Sequence, residues 1–162
     1  EISECLVGSE MCIRDSLPQD HLLKLYISVK QDIKDSAGVV LSHNDLRFIR
    51  RVVRDYSFRG AGPERTLSMW QNVLDGENNY IRPYKSVSNI TINSIHMYEP
   101  CILRRKAIPL LREISCEHPR YHYTSHLLTQ LERFVPVDES LVPDNSILRE
   151  FIGGSIYQSA VE

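Results

Sequence analysis

Residues 45–60, Asp-Leu-Arg-Phe-Ile-Arg-Arg-Val-Val-Arg-Asp-Tyr-Ser-Phe-Arg-Gly, constrain the fold of this chain most strongly. On a helical wheel of about 100° per residue, the arginines and one aspartate fall on one half. These residues are Arg47, Arg50, Arg51, Arg54 and Asp55. The other half carries the large apolar side chains, which are Leu46, Phe48, Ile49, Val52, Val53 and Tyr56. The pattern predicts an amphipathic helix with one cationic face and one buried face.

The cationic face of this helix is built from arginine alone. Arginine suits planar, bidentate contact with oxyanions such as phosphate, whereas lysine acts as a point charge. Only Asp45 and Asp55 flank these arginines, so we expect most of the charge to lack a partner within the helix. A charge run on a helix is also typical of a solvated surface, and this simpler interpretation stays open.

Composition places the cationic helix on a mildly acidic protein. The chain has 162 residues, 42% of them hydrophobic and 25% charged, with a formal net charge of −2. A general nucleic-acid binder is usually basic overall, so the arginines indicate a local site. No apolar run is long enough to span a bilayer. The four cysteines have neither zinc-finger nor disulfide-framework spacing, which predicts a cytoplasmic protein.

Elements before and after the arginine helix are predicted from local patterns. Residues 22–29 are almost continuously apolar, which predicts a central strand covered on both faces. Residues 30–42 form a predicted polar loop, and Ser42 or Asn44 can cap the helix, which we expect to end near Gly60.

Gly62 and Pro63 then begin a second predicted helix, in which Leu67, Trp70 and Leu74 recur at helical spacing. We interpret Trp70 as a core residue. The result is a helix–turn–helix with Arg59 at a glycine-rich corner. Such a unit has the parts of a lid, since arginines can neutralise transferring phosphoryl groups and the corner can act as a hinge.

The remaining segments are predicted as one extended stretch, one strand and three helices. Pro83 predicts extended backbone at 80–85, where Tyr80, Arg82 and Tyr84 could contact a base or pack on a sheet edge. The strand is expected at 89–94, and the helices at 96–115, 121–135 and 145–151. Strands between helices predict an α/β protein with an incomplete sheet.

The lid segment resembles that of the uridine kinase and phosphoribulokinase-like P-loop kinases, in its order of arginines through Arg59-Gly60. A further similarity lies before the lid segment, at 25–29. Others follow it in order, at 70–73, 76–77, 80–84 and 93–94. Residues 146–155 look like the C-terminal signature of bacterial nucleoside kinases whose upstream half resembles threonyl-tRNA synthetase accessory domains. The resemblance covers about residues 17–157.

This resemblance implies a fold, an activity and roles for several residues. The fold would be part of an α/β P-loop NTPase, a parallel sheet flanked by helices, mostly helical here, with a lid at 43–75. The activity would be transfer of the γ-phosphoryl group of ATP or GTP, with Mg²⁺, to a nucleoside hydroxyl. Arg54 and Arg59 would contact the nucleotide phosphates as catalytic residues, and Arg51 and Arg47 would bind substrate. No residue of this chain is expected to bind a metal.

Two departures from the family pattern limit these expectations. Uridine-cytidine kinases usually carry arginine and glutamine where this chain has Ala61 and Met69, so the acceptor is left open. The sequence also contains no Gly-x-x-x-x-Gly-Lys-Ser/Thr loop, which would hold the triphosphate. We therefore expect residues 17–157 to be the C-terminal part of a kinase domain without activity of its own. The alternatives are a small RNA-binding module and a purely structural helical domain.

Two further segments have separate interpretations. Residues 1–16 look like the translation of a sequencing adapter, and a short disordered leader is the alternative. Residues 158–162 are expected to be a tail. Cys116, His118, His122 and His126 have a spacing that could bind zinc on a helix, but a histidine-rich surface is the favoured interpretation.

Overall fold

The computed structural model describes residue 18 and residues 22–157. The predicted adapter segment 1–16, with Cys5 and Cys12, and the predicted tail 158–162 lie outside the described residues. Within the described residues the protein is mostly helical, with a small parallel sheet flanked by helices. This architecture fits the predicted partial α/β fold of the P-loop type.

Two short parallel strands form the sheet that carries the arginine helix. Strand β1 spans Leu25–Ser28 and pairs with a strand at Ile90–Asn93, so that Leu25 lies beside Ile90 and Ile27 beside Ile92. The predicted strands at 22–29 and 89–94 are therefore both present, although shorter. Two parallel strands can be joined only by a long crossover connection. Here that connection contains the hairpin and the helices that lie between the two strands in sequence.

The prediction that the first strand is covered on both faces is wrong for the described part of the chain. Tyr26 is buried, but Leu25 and Ile27 are 52% and 58% exposed. Their partners Ile90 and Ile92 are exposed as well. Paired residues of parallel strands share a face, so these four side chains form one continuous apolar, exposed surface.

Residues 30–42 are not the predicted polar loop, because they contain a β-hairpin. Strand β2 (Ile33–Asp35) pairs in antiparallel fashion with β3 (Gly38–Leu41). Asp35 Oδ1 accepts hydrogen bonds from the backbone N–H groups of Ala37 and Gly38, at 2.7 and 3.0 Å, and closes the turn. Gly38 has φ = 135°, which favours glycine. Burial of Ile33, Val40 and Leu41 stabilises the hairpin against the helices.

The arginine helix, α1, spans His43–Arg59 and has the predicted caps. Ser42 Oγ accepts a hydrogen bond from the Asp45 N–H at 3.1 Å, and Asp45 Oδ2 accepts one from the Ser42 N–H at 2.9 Å. This reciprocal arrangement is a capping box. At the other end Gly60 adopts a left-handed conformation with φ = 61°, so the helix ends where predicted.

The buried face of α1 agrees with the wheel except at three positions. Asp55, which the wheel puts on the polar half, is only 5% exposed. Tyr56 is 51% exposed, so its predicted burial is wrong. Arg50 is only 6% exposed, although the wheel puts it on the polar half. A guanidinium can be buried there because it has a buried carboxylate partner, described below.

Helix α2 spans Pro63–Gly76 and begins at proline as predicted. Trp70 is 3% exposed and packs on Phe48 of α1, with 5.3 Å between the ring centroids, which confirms its place in the core.

The prediction of an extended stretch at 80–85 is wrong. The chain instead continues through a π-helical turn, Glu77–Ile81, and a 3₁₀ helix, Arg82–Val87. Pro83 is tolerated because it lies in the first turn, where its missing N–H has no helical partner.

Strand β4 (Ile90–Asn93) leads to α3 (Glu99–Arg112), which contains Pro109, and then to α4 (Tyr121–Glu132) and the short α5 (Arg149–Ile152). The three predicted helices are thus present in shortened form. A single-turn 3₁₀ helix, Glu139–Leu141, lies between α4 and α5. The core lies where α1 packs on α2, α3 and α5, and α4 packs on α3. Its fully buried members include Leu46, Phe48, Leu103, Leu127 and Leu148.

Candidate phosphate-binding site

A cavity of about 230 Å³ opens at the carboxyl ends of β1 and β4, beside the arginine helix. Its lining comes from the end of β1, from α1, α2 and α5, and from the residue after β4, through Ile27, Ser28, Val29, Arg47, Arg50, Arg51, Arg54, Trp70, Val73, Ser94 and Phe151. Four arginines line this cavity, and no carboxylate of the described residues does. The charged side chains that face the cavity are therefore all cationic.

The carboxylates that balance this charge are placed around the cavity. Within the helix only Asp55 pairs with these arginines, and the other three partners, Glu77, Glu99 and Glu150, come from other elements. The ion pairs are Arg47–Glu77, Arg50–Glu99, Arg51–Asp55, Arg54–Asp55, Arg54–Glu150 and Arg59–Asp55. Five arginines share four carboxylates, so the cluster keeps a net positive charge.

Asp55 is the carboxylate shared by three of these arginines. Its side chain is 6% exposed and lies 3.2 Å from Arg51 Nε, 3.8 Å from Arg54 Nε and 3.3 Å from Arg59 Nη1. The Nε atoms of Arg51 and Arg54 are buried and form no hydrogen bond with any described residue. Asp55 therefore attracts both guanidinium groups without saturating their donors.

Arg50 differs from its neighbours because its Nε and Nη2 donors are already engaged. Its Nε donates to Glu99 Oε2 at 2.7 Å, its Nη2 donates to Glu99 Oε1, and Nη2 also donates to the Ser94 carbonyl at 2.7 Å. Glu99 is fully buried and accepts a further hydrogen bond from the His96 N–H at 2.7 Å. Arg50 thus joins the lid helix to the segment that follows β4.

Arg47 and Arg54 have partners at opposite ends of the cavity. Arg47 pairs with Glu77 and lies 5.7 Å from the ring centroid of Trp70. Arg54 Nη1 donates to Glu150 Oε1 at 2.9 Å, and its guanidinium carbon lies 5.9 Å from the ring centroid of Phe151. Both arginines therefore combine a carboxylate with an aromatic ring.

The structure brings three of the four predicted site residues together. Arg47, Arg51 and Arg54 line the cavity, whereas Arg59 does not. Arg59 is 55% exposed and lies on Asp55 at the glycine-rich corner.

Sequence reasoning missed Arg50, Glu77, Glu99 and the C-terminal pair Glu150 and Phe151. The wheel offers one signal for the role of Arg50, since it places Arg50 at the edge of the polar half, next to Leu46 and Val53.

A second, larger cavity of about 640 Å³ adjoins the first at Ser28 and Val29. It runs from the start of α1, at His43 and Asn44, to the π-helical and 3₁₀ turns, at Glu77, Asn78, Arg82 and Lys85. Glu77, which lines this cavity, pairs with Arg47, which lines the first. Ligand sites of open parallel sheets lie at the carboxyl ends of the strands, where both cavities are found.

Two titrating groups near the start of α1 are perturbed. Burial raises the pKa of the Tyr123 hydroxyl, and the nearby Asp45 carboxylate, which accepts its hydrogen bond at 3.0 Å, raises it further. The pKa of Asp32 is lowered because its Oδ1 accepts a hydrogen bond from the His43 N–H at 2.8 Å and lies 3.0 Å from His43 Nδ1. Both contacts stabilise the start of the lid helix.

Residues 22–157 contain no group of three or more His, Cys, Asp or Glu side chains placed to hold a metal ion. His118 lies before α4 begins, so the histidines do not share one helix as the spacing assumed. Its Nδ1 accepts a hydrogen bond from the Arg120 N–H at 3.1 Å, and its Nε2 lies 3.2 Å from Ser68 Oγ.

Residues 22–157 include no helix long and apolar enough to cross a membrane.

Comparison with known families identifies the segment that contains this cavity. The model of the phosphoribulokinase / uridine kinase family matches residues 23–99. The match runs from just before β1 to the first residue of α3, and it includes every cavity-lining residue except Phe151. No curated protein and no solved structure matches the chain significantly. The match over residues 23–99, just under half of the chain, supports a uridine kinase-like family assignment.

Proposed function

We propose that the chain is the lid-bearing, C-terminal part of a nucleoside kinase, which transfers the γ-phosphoryl group of ATP or GTP to a nucleoside hydroxyl. The observation that carries this proposal is the cavity lined by Arg47, Arg51 and Arg54 without a carboxylate. Phosphoryl transfer spreads negative charge over several oxygens, and positioned guanidinium groups stabilise that charge. The family match supports a kinase rather than another phosphate-binding protein.

Each arginine has a proposed task. Arg54 contacts the phosphates of the nucleoside triphosphate, and Arg51 and Arg47 contact the acceptor or the transferring group. Arg59 reaches the nucleotide phosphates when the corner at Gly60 closes, since it lies on a hinge and is the most exposed of the group. Arg50 is proposed to hold the helix in place, because its Nε and Nη2 donors bond to Glu99 and the Ser94 carbonyl.

The chain is proposed to be inactive alone. Its sequence has no Gly-x-x-x-x-Gly-Lys-Ser/Thr loop, so the backbone cradle for the triphosphate must come from further chain. The exposed apolar face formed by Leu25, Ile27, Ile90 and Ile92 supports this, since parallel sheets are normally covered on both faces.

The arginines fit the phosphate groups of the proposed nucleotide, because two buried Nε donors on the cavity side chains have no hydrogen-bond acceptor among the described residues. Mg²⁺ would neutralise phosphate charge, but the described residues offer no cluster of ligands for it. Mg²⁺ is therefore proposed to enter the site bound to the triphosphate. The acceptor is proposed to be a nucleoside, with the base unspecified because Ala61 and Met69 replace the family's usual side chains. A cytoplasmic location is part of the same proposal.

The proposal is tested by phosphorylation assays on two proteins. The 162-residue chain, incubated with ATP or GTP, Mg²⁺ and a panel of nucleosides, is expected to form no nucleoside monophosphate. The protein encoded by the complete reading frame is expected to form it. Nucleoside phosphorylation by the 162-residue chain contradicts the proposed inactivity, and its absence from the complete protein contradicts the proposed kinase.

A further inference from the structure

The C-terminal helix α5 packs directly on the arginine helix and contributes two consecutive side chains to Arg54. Phe151 is 6% exposed, and its ring centroid lies 5.3 Å from the guanidinium carbon of Arg50 and 5.9 Å from that of Arg54. Glu150, the preceding residue, accepts the hydrogen bond from Arg54 Nη1. One ring therefore lies against two adjacent guanidinium groups, and one carboxylate holds the second of them.

Several contacts fix α5 independently of Arg54. Lys106 Nζ donates to the Ile152 carbonyl at 2.8 Å, which ties the helix to α3. Arg149 donates to the Glu139 carbonyl at 3.1 Å, to the Val142 carbonyl, and to the Gly153 carbonyl at 3.3 Å. The ring of Phe151 is therefore held in place when Arg54 changes partner.

The two contacts of Arg54 differ in how easily a ligand can replace them. The Phe151 ring is buried, and its attraction to a cation survives when an anion binds at the guanidinium edge. Glu150 is 52% exposed, and an exposed ion pair contributes little to stability. A polyphosphate offers more oxygens than one carboxylate and can replace it.

We propose that Phe151 is a positioning residue, which holds the guanidinium of Arg54 in the plane needed for phosphate, and that Glu150 is an internal competitor, which phosphate displaces. This inference rests on the proposed phosphate-binding function of Arg54. It assigns to the C-terminal segment, which lies outside the family-matched region, a direct part in the affinity of the site.

Tripolyphosphate is the probe, and Trp70 is the reporter. Trp70 is the one tryptophan in the chain and lines the cavity, so its fluorescence is expected to change when the probe binds. Titrations of the 162-residue chain at low ionic strength would compare wild type with E150Q, F151L and R54Q. We expect E150Q to bind about two- to five-fold more tightly, which corresponds to the loss of one exposed ion pair. We expect F151L to bind several-fold more weakly.

Glu132→Gln is the matched control for Glu150→Gln. Glu132 accepts a hydrogen bond from Arg112 Nη2 at the same 2.9 Å, is 50% exposed, and lies on α4 away from the cavity. The Glu132→Gln substitution changes the net charge of the chain by the same amount as Glu150→Gln. If E132Q tightens binding as much as E150Q, only the net charge matters and the inference is overturned. In an R54Q background, E150Q is expected to have no effect, and an undiminished effect there also contradicts the inference.

A second measurement tests the role of Phe151 without a ligand. A ring packed on a guanidinium shifts the Nε–H resonance of that arginine, so the resonances of Arg50 and Arg54 are expected to move in F151L while circular dichroism stays that of wild type. Unmoved resonances overturn the positioning role. A wild-type chain that does not bind tripolyphosphate contradicts the proposed function, whereas binding that depends on Arg54 but not on Glu150 or Phe151 contradicts only this inference.

Discussion

Arg50 and Glu99 form a buried, two-point ion pair that fastens the middle of the lid helix to the first residue of α3. Arg50 Nε donates to Glu99 Oε2 at 2.7 Å, and the two side chains are 7% and 0% exposed. The pair separates the arginines into two groups. Arg50 holds the helix in place, while Arg47, Arg51 and Arg54 keep donors on the cavity side of the same helix.

Glu99→Gln is expected to destabilise the chain by about 3–5 kcal/mol, because it leaves the buried guanidinium of Arg50 without a counter-charge. Urea denaturation followed by circular dichroism measures the free energy of unfolding. Glu132→Gln, which breaks an exposed pair, is the control and is expected to cost less than about 1 kcal/mol. An equal loss of unfolding free energy in the two variants would show that the buried pair contributes no more to stability than the exposed one.

Phe48→Ala is expected to lower the free energy of unfolding by about 3–5 kcal/mol. Phe48 is fully buried between Trp70 and Tyr123, with centroid distances of 5.3 and 5.5 Å, so its removal leaves a cavity between α1, α2 and α4. Phe58, on the same helix but 50% exposed, is the control, and its replacement by alanine should have a small effect. A mild effect of Phe48→Ala in the same denaturation experiment would contradict the packing described here.

Asp32→Asn is expected to reduce stability at neutral pH but not in strong acid. The folded-state pKa of Asp32 lies below its ordinary value of 3.8, chiefly because of the hydrogen bond from the His43 N–H. The ionised carboxylate therefore contributes stability above the unfolded-state pKa, and this contribution is lost as the pH falls through the folded-state pKa. Denaturation midpoints of the variant and wild type should converge as the pH is lowered. A difference between the two midpoints that does not change with pH would contradict the proposed contribution of the ionised Asp32 carboxylate.

RNA binding by the chain is expected to be weak and unimportant for function. A protein that binds RNA through its phosphate backbone loses affinity steeply with salt, with a slope that counts the phosphates contacted. Here the cavity arginines share four nearby carboxylates, and the net charge of the chain is −2. Titration with homopolymeric RNA at several salt concentrations would measure this slope. Tight, steeply salt-dependent binding would favour the RNA-binding alternative over a kinase lid.

Local signals allow the helix–turn–helix of α1 and α2 to be predicted from the sequence. The apolar half of α1, the Ser42–Asp45 capping box, the stop at Gly60 and the start at Pro63 depend on residues within a few positions of each other. The cationic side of α1 follows from the same local pattern.

Contacts over long separations could not be predicted in this way. Glu77, Glu99 and Glu150 reach the arginines from 30, 49 and 96 positions away, so their pairing with α1 depends on the tertiary fold. The hairpin at 33–41 gives a weak sequence signal because its strands are short. Pro83 predicts the absence of a helix, although proline is accepted in the first turn of one.

The most direct test of the account is turnover by the complete kinase with Arg54 replaced by glutamine. Removing one positioned cation from developing phosphoryl charge is expected to lower kcat by about 10²–10³-fold. Arg112→Gln, an exposed substitution at the end of α3, is the control and should leave kcat unchanged. If Arg54→Gln turns over nucleoside as fast as the wild-type enzyme, the cationic cavity does not serve phosphoryl transfer.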